Sequence, residues 1–282
     1  MISSGEIRKK MKAGQASLGT WLQIPNPDVA EIIGRLGYDW AAADLEHGAF
    51  TRADLPNIFR ALELGGTLPF ARLLEVSRSQ IKGALESGAR GLILPMIESR
   101  EQLDYAIAEA LYPGGREFAS GRRGVGFCRA NLYGQELDRH TRPGPGPSRD
   151  IVIVAQIEHA RAIENLEAIF AHPRLDAYMV GPYDLSASMG LTGDFTHPDF
   201  QAAMAAMAAS AEKWRIPKGT HVVRPRPSEL QARLEEGYAF IAYGLDAVFL
   251  TEAARNPLKP VGTRGRLRRN LIDSRNRLPG SK

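Results

Sequence analysis

The chain has 282 residues, 44% of them hydrophobic and 24% charged, with a formal net charge of +4. That composition suits a folded chain with a large core and excludes wholesale disorder, and the single cysteine, Cys128, excludes an internal disulfide framework and fits a reducing compartment. The charge is uneven: residues 255–282 hold nine Lys/Arg against Asp273, a net +8 that leaves residues 1–254 at −4.

The opening stretch MISSGEIRKKMKAGQ is charged and lacks an apolar segment, so no secretory signal is expected. No apolar run approaches the ~20 residues a membrane-spanning helix needs. A cytoplasmic protein with no membrane partner is the expectation.

From residue 17 onward two textures alternate. The first unit is SLGTWLQI (17–24) followed by NPDVAEIIGRLG (26–37), where Asn26 reads as a cap, Pro27 as a first helical position and Gly37 as a stop. The second is YDWAAADLEHG (38–48) with TRADLPNIFRALELGG (51–66), opened by a possible cap, Thr51. The third pairs LPFARLLE (68–75) with SRSQIKGALESGA (77–89), and the fourth pairs GLILPMIES (91–99) with REQLDYAIAEALY (100–112). Residues 113–149 read as a long irregular segment rich in Gly, Pro and Arg, longer than a scaffold loop needs. The fifth unit is DIVIVAQIEH (150–159) with ARAIENLEAIFAHP (160–173), and the sixth is LDAYMVGPYDLS (175–186) with HPDFQAAMAAMAASAEKW (197–214). PKGTHVV (217–223) with RPSELQARLEEGY (226–238), then FIAYGLDAVFL (240–250), complete eight units.

Strands separated by helical segments of this length pair in parallel, because each return needs a crossover. Strands buried on both faces read as unbroken apolar runs, as IVIVA and GLILP do. The expected fold is therefore α/β, a closed (β/α)8 TIM barrel over residues 1–254 as a single domain, with a basic C-terminal extension over 255–282. An open doubly wound sheet is the competitor, but no G-x-G-x-x-G follows a first strand.

In such a barrel the chemistry collects at the C-terminal ends of the strands. Those ends offer Trp21 and Gln23, then Asp44, Glu46 and His47, then Arg72, then Gln156 and Glu158, then Asp184. Glu158 and Asp184 come from successive units. They suit a hard cation such as Mg2+ or Mn2+, or serve as ion-pair partners at the barrel end. Arg72 suits a carboxylate or a developing oxyanion, or pairs structurally with Glu46 or Glu158. His47 close to Asp44 suits a base held by a carboxylate, or a plain polar surface position. Cys128, in GVGFCRAN, reads as an idle or packed thiol. The basic tail could contact nucleic acid, but no recognised nucleic-acid module accompanies it.

Taken in order, GTWLQIPNP, DWAAADLEHG, PFAR, LESGARGLILPMIES, QIE and VGPYDLSASMG resemble the HpcH/HpaI aldolase family from about Gly19 to Leu250. The resemblance implies a metal-dependent, class II pyruvate aldolase on a (β/α)8 barrel, acting on 4-hydroxy-2-oxo acids. It implies Glu158 and Asp184 as the metal pair, with Mg2+, Mn2+ or Co2+ bound. Arg72 would hold the keto oxygen, and His47, supported by Asp44, would be the base. Trp21 and Gln156 would line the pocket, and the turn Gly181, Pro182, Tyr183 would meet the pyruvate carboxylate. A homo-oligomer, a hexamer built as a trimer of dimers, and small-molecule partners (a 2-oxo acid and an aldehyde) follow in the same way. Glu86 stands where relatives carry Asp, His159 where a small hydroxyl residue is common, and loop 139–150 is longer than in relatives; these bear on the aldehyde.

Three other readings share the sequence. A CoA-ester lyase of the same superfamily would use the Arg-rich segment 116–129 for its ligand. A macrophomate synthase-like enzyme would decarboxylate oxaloacetate and add the enolate elsewhere. A non-catalytic barrel would bind through its basic tail.

Overall fold

The computed structural model describes residues 2–113, 121–142 and 146–256; the tail beyond residue 256, and with it most of the expected basic extension, lies outside the described residues. Residues up to Val248 form one compact unit, and the described residues that follow belong to a second.

The first unit is a closed barrel of eight strands in sequential order: β1 (Ser17–Leu22), β2 (Trp40–Asp44), β3 (Leu68–Arg72), β4 (Gly91–Leu94), β5 (Val152–Ile157), β6 (Ala177–Val180), β7 (Lys218–Val222) and β8 (Phe240–Leu245). Every neighbouring pair is parallel, including β8 with β1. Closure in parallel follows from the sequence texture, since a strand apolar on both faces must be covered both by the barrel interior and by a helix.

Aromatic rings stack inside the barrel among aliphatic side chains. Trp40 stacks on Phe240 at 4.4 Å between centroids and on Phe70 at 5.3 Å. Glycines make room for them: a Cβ at Gly91 would lie 2.5 Å from the Phe70 ring, and one at Gly19 would run into the Trp40 indole. Interior layers of this kind make the barrel a packed core rather than a pore.

Four expectations change. The charged N-terminal stretch folds as a helix, Ser4–Lys12, with a reciprocal Ser3–Glu6 capping box; its Ile7 and Met11 are buried in the barrel core. The segment after residue 113 is not wholly irregular, because it carries a 3-10 turn (Arg129–Gly134) and a short helix (Leu137–Thr141). The helical run after β5 is two short helices, Ala160–Glu164 and Leu166–Phe170, separated by Asn165. The helix expected from Thr51 begins at Leu55, while Thr51 donates both its N–H and its hydroxyl to Asp54 at 2.7 Å. The alternation of apolar residues locates these elements but not their ends, which depend on single caps.

Candidate active site

β2 and β3 end side by side, with Asp44 and Arg72 partners in register. Their side chains meet in a two-pronged ion pair: Arg72 Nε donates to Asp44 Oδ1 at 2.8 Å and Arg72 Nη2 to Oδ2 at 2.6 Å. Glu46 adds a second anion, 3.1 Å from Arg72 Nη1. The guanidinium lies 4.3 Å above the Trp21 ring and keeps only 13% of its side-chain surface exposed. A planar fork held on two edges and one face is fixed in direction, which is what binding an oxyanion in one orientation requires.

Asp44 does not hold the His47 imidazole, contrary to the expected base–carboxylate pair. Its Oδ1 accepts from the backbone N–H groups of Glu46 and His47, and its Oδ2 from the Gln23 side chain at 2.9 Å. The carboxylate closes the tight turn after β2 instead. Burial alone would raise its pKa, but the two Arg72 bonds and the Gln23 and His47 N–H bonds outweigh that and lower it. The His47 side chain is 59% exposed and its Nε2 lies 3.9 Å from Glu46, which places the imidazole at the mouth.

Glu158 follows β5 and is buried at 3% exposure. Its Oε2 accepts the Met96 backbone N–H at 3.0 Å and its Oε1 the Gln156 side chain at 2.7 Å. Burial raises its pKa to about 7 against the Met96 bond, with Glu46 and Asp184 adding repulsion. Met96 itself takes a left-handed conformation, φ 51°, a strained position for a side-chain-bearing residue that concentrates at functional sites. Asp184 lies in the first turn of the short helix Pro182–Ser188, capped by Gly181. Glu46 is raised as well, by burial and by the charges of Asp44 and Asp184, against Arg72. Glu46, Glu158 and Asp184 therefore repel one another around one space, with Arg72 as the cation facing them.

That arrangement fits a divalent ion. Among the described residues no three His, Cys, Asp or Glu side chains converge as a ready cage, but a hard cation of the Mg2+ type takes one or two carboxylates and completes its shell with water and substrate. Glu158 and Asp184 supply oxygen donors, Gln156 Oε1 is buried without a partner, and a Cβ at Gly181 would collide with Glu158 Oε1. The glycine thus leaves the carboxylate its room.

Of the sequence-picked residues, Asp44, Arg72, Gln156, Glu158 and Asp184 share this end of the barrel, with Gly181, Pro182 and Tyr183 at the turn after β6 and Tyr183 exposed. Trp21 is buried in the core and reaches the site through the Arg72 stack. Two groups escaped the sequence reading. His221, on β7, packs 5.6 Å from the Trp21 ring and donates through Nε2 to the Gly244 carbonyl at 3.0 Å; burial lowers its pKa to about 4, so it is neutral. Asp246 accepts from the backbone N–H groups of Gln23 and Ile24, both at 2.9 Å. The strand-end rule that picks out Asp44 also picks out Asp246, directly after β8; nothing in KGTHVV distinguishes His221.

A parallel eight-stranded barrel with a charged, partly buried cluster on its C-terminal rim belongs to the barrel enzymes. Residues 17–253 match the HpcH/HpaI aldolase/citrate lyase family. The chain is 32% identical to a hydroxypyruvate/pyruvate aldolase of Paraburkholderia phytofirmans, over 90% of this chain and 96% of that one. It is 33% identical to a 2-dehydro-3,6-dideoxy-6-sulfogluconate aldolase of Pseudomonas putida, over 91% and 96%. A family structure from Burkholderia cenocepacia superposes with a TM-score of 0.80 at 28% identity, covering 96% of this chain and 99% of the other. The chain belongs to the HpcH/HpaI aldolase/citrate lyase family, and it is an enzyme, a carbon–carbon lyase of the aldolase kind.

Proposed function

We propose that this enzyme breaks and forms the bond between pyruvate, as its enolate, and an aldehyde, acting on 4-hydroxy-2-oxo acids with a divalent ion held by Glu158 and Asp184. The observation that carries the reading is the Arg72 guanidinium, clamped by Asp44 and Glu46 and placed in electrostatic reach of the buried Glu158. A bound Mg2+, Mn2+ or Co2+ would supply Lewis acidity toward the oxygens of the 2-oxo acid.

The chain's own residues do the rest. Arg72 donates toward the keto oxygen and stabilises the charge that develops there when the C3–C4 bond breaks. His47, at the mouth, takes the proton of the 4-hydroxyl, directly or through a water, and the aldehyde leaves past it. The backbone of Gly181, Pro182 and Tyr183 borders the carboxylate, the prolyl nitrogen contributing no N–H. Gln156 holds Glu158 in place through its amide. Among the described residues no lysine lies at the C-terminal end of a strand: Lys218 begins β7 and Lys82 lies in the helix Arg78–Ser87. A Schiff-base route therefore lacks its amine at the rim.

The same reading includes a homo-oligomer, a hexamer built as a trimer of dimers, and a cytoplasmic setting. The exposed apolar side chains Val125, Phe127 and Tyr133 support subunit contact. No helix among the described residues is long and apolar enough to cross a membrane.

The test is pyruvate release from a panel of 4-hydroxy-2-oxo acids, with Mg2+ or Mn2+ and after EDTA. Activity lost to EDTA and restored by either ion is expected. Covalent trapping of the enzyme by borohydride with pyruvate would overturn the mechanism.

A further inference from the structure

A wide cavity, about 940 Å³, opens at the end of the barrel opposite this site. Its wall includes Leu68 at the start of β3, Arg90 just before β4, Asp150 before β5, and Arg8 of the N-terminal helix. Leu68 and Arg72 are the two ends of one strand, about 13 Å apart at ~3.3 Å per residue. The cavity and the rim are therefore separate places.

The inner wall of the cavity is cationic, and among the described residues neither Arg90 nor Arg123 forms an ion pair, with Glu86 acting on Arg123 and Glu136 on His140 only through space. Arg90 and His140 line both the cavity and a small recess behind it, and Arg123 lines that recess. The two acids on the cavity wall are already engaged, Glu136 with Arg139 at 2.9 Å and Asp150 with Arg8. Arg90, half-buried, makes no side-chain hydrogen bond or ion pair among the described residues. Arg123 is 3% exposed, and its Nε and Nη2 have no hydrogen-bond partner; its ring contact is Tyr112, 4.5 Å away. His140 is also 3% exposed and its Nδ1 is unpartnered. Burial, followed by the charges of Arg90 and Arg123, lowers its pKa to about 4. A buried guanidinium without an anion is costly to keep.

We propose that this cavity binds a phosphoryl-bearing small molecule, its anion seated against Arg90 and His140 with the charge of Arg123 behind them. A phosphoryl group carries close to two negative charges at neutral pH and accepts from a guanidinium through two oxygens. The neutral imidazole can donate to a third. The volume lies in the range of small-molecule sites, so the cavity has room for the rest of the ligand.

Inorganic phosphate is the probe, titrated into the full-length protein by calorimetry at constant ionic strength, with the thermal midpoint followed in parallel. One saturable site is expected, with a midpoint that rises with phosphate as linkage requires and does not rise with chloride. Arg90→Gln should weaken binding about tenfold or more, Arg90→Lys should fall between, and Arg72→Ala should bind as the parent does. Arg123→Met is the second variant if Arg90→Gln fails to fold, and it should also weaken binding. No saturable binding in the parent would overturn the site. So would binding that survives Arg90→Gln and Arg123→Met unchanged, or binding that Arg72→Ala removes.

Discussion

Arg72 can be pinned only because Asp44 and Glu46 both face it, and that sets how much each contributes. Replacing Arg72 by Ala removes a donor placed where negative charge develops. Losing one such donor costs typically 10²–10³-fold in turnover, so kcat for pyruvate release should fall by about that factor; near-normal turnover would exclude Arg72 from the role. Glu158 makes the opposite kind of prediction, about stability. Its folded pKa of about 7 lies above the ordinary 4.5. The protonated native form is thus favoured, and the stabilisation is fully present below about pH 4.5 and lost as pH rises through about 7. The shift corresponds to about 3 kcal/mol. In denaturant titrations of metal-free protein, the parent should lose roughly that much more stability between pH 5 and pH 8 than Glu158→Gln does. Added Mn2+ should restore the parent at pH 8 and leave the variant unchanged. Equal pH profiles for the two proteins would show that the carboxyl is not held protonated.

At the scale of elements, the barrel's interior layer couples glycines to rings. Gly91 on β4 faces Phe70 on β3, with a Cβ only 2.5 Å from the ring. Gly91→Ala should therefore overpack a filled core and cost about 1–3 kcal/mol in urea denaturation; an unchanged midpoint would mean that the Trp40, Phe70, Phe240 stack yields freely. This level of organisation was largely legible in the sequence, because unbroken apolar runs and glycine stops mark strand and helix alternation. The rim acids and Arg72 were legible too, since each lies at or within a few residues of the end of an apolar run. Relationships between neighbours were not. Asp44 lies three residues from His47, which suggests a base and its support, yet the register of β2 on β3 gives that carboxylate to Arg72 instead. The left-handed turn at Met96 carries no sequence mark, because Met is not a residue that normally adopts it. The helix Ser4–Lys12 also escaped notice: its apolar contribution is two side chains, Ile7 and Met11, among many charges.

At the scale of the whole molecule, those two side chains separate stability from chemistry. Ile7 and Met11 are buried in the same core cluster as Trp40, Phe70 and Phe240. The helix that carries them is tied to the start of β5, where Arg8 donates to the Ile151 carbonyl at 3.1 Å. It covers the N-terminal end of the barrel, whereas Arg72 and Glu158 stand at the C-terminal end, and in barrels of this kind the first end serves stability and the second catalysis. Truncating a fully buried aliphatic side chain typically costs about 2–5 kcal/mol. Ile7→Ala should therefore lower the denaturation midpoint by that order while kcat/KM, measured well below the melting temperature on folded protein, stays near the parent value. A variant that keeps its midpoint would show that the helix does not seal the core. One that keeps its stability but loses kcat/KM would show that the two ends of the barrel are coupled through the strands, and the division of labour would fail.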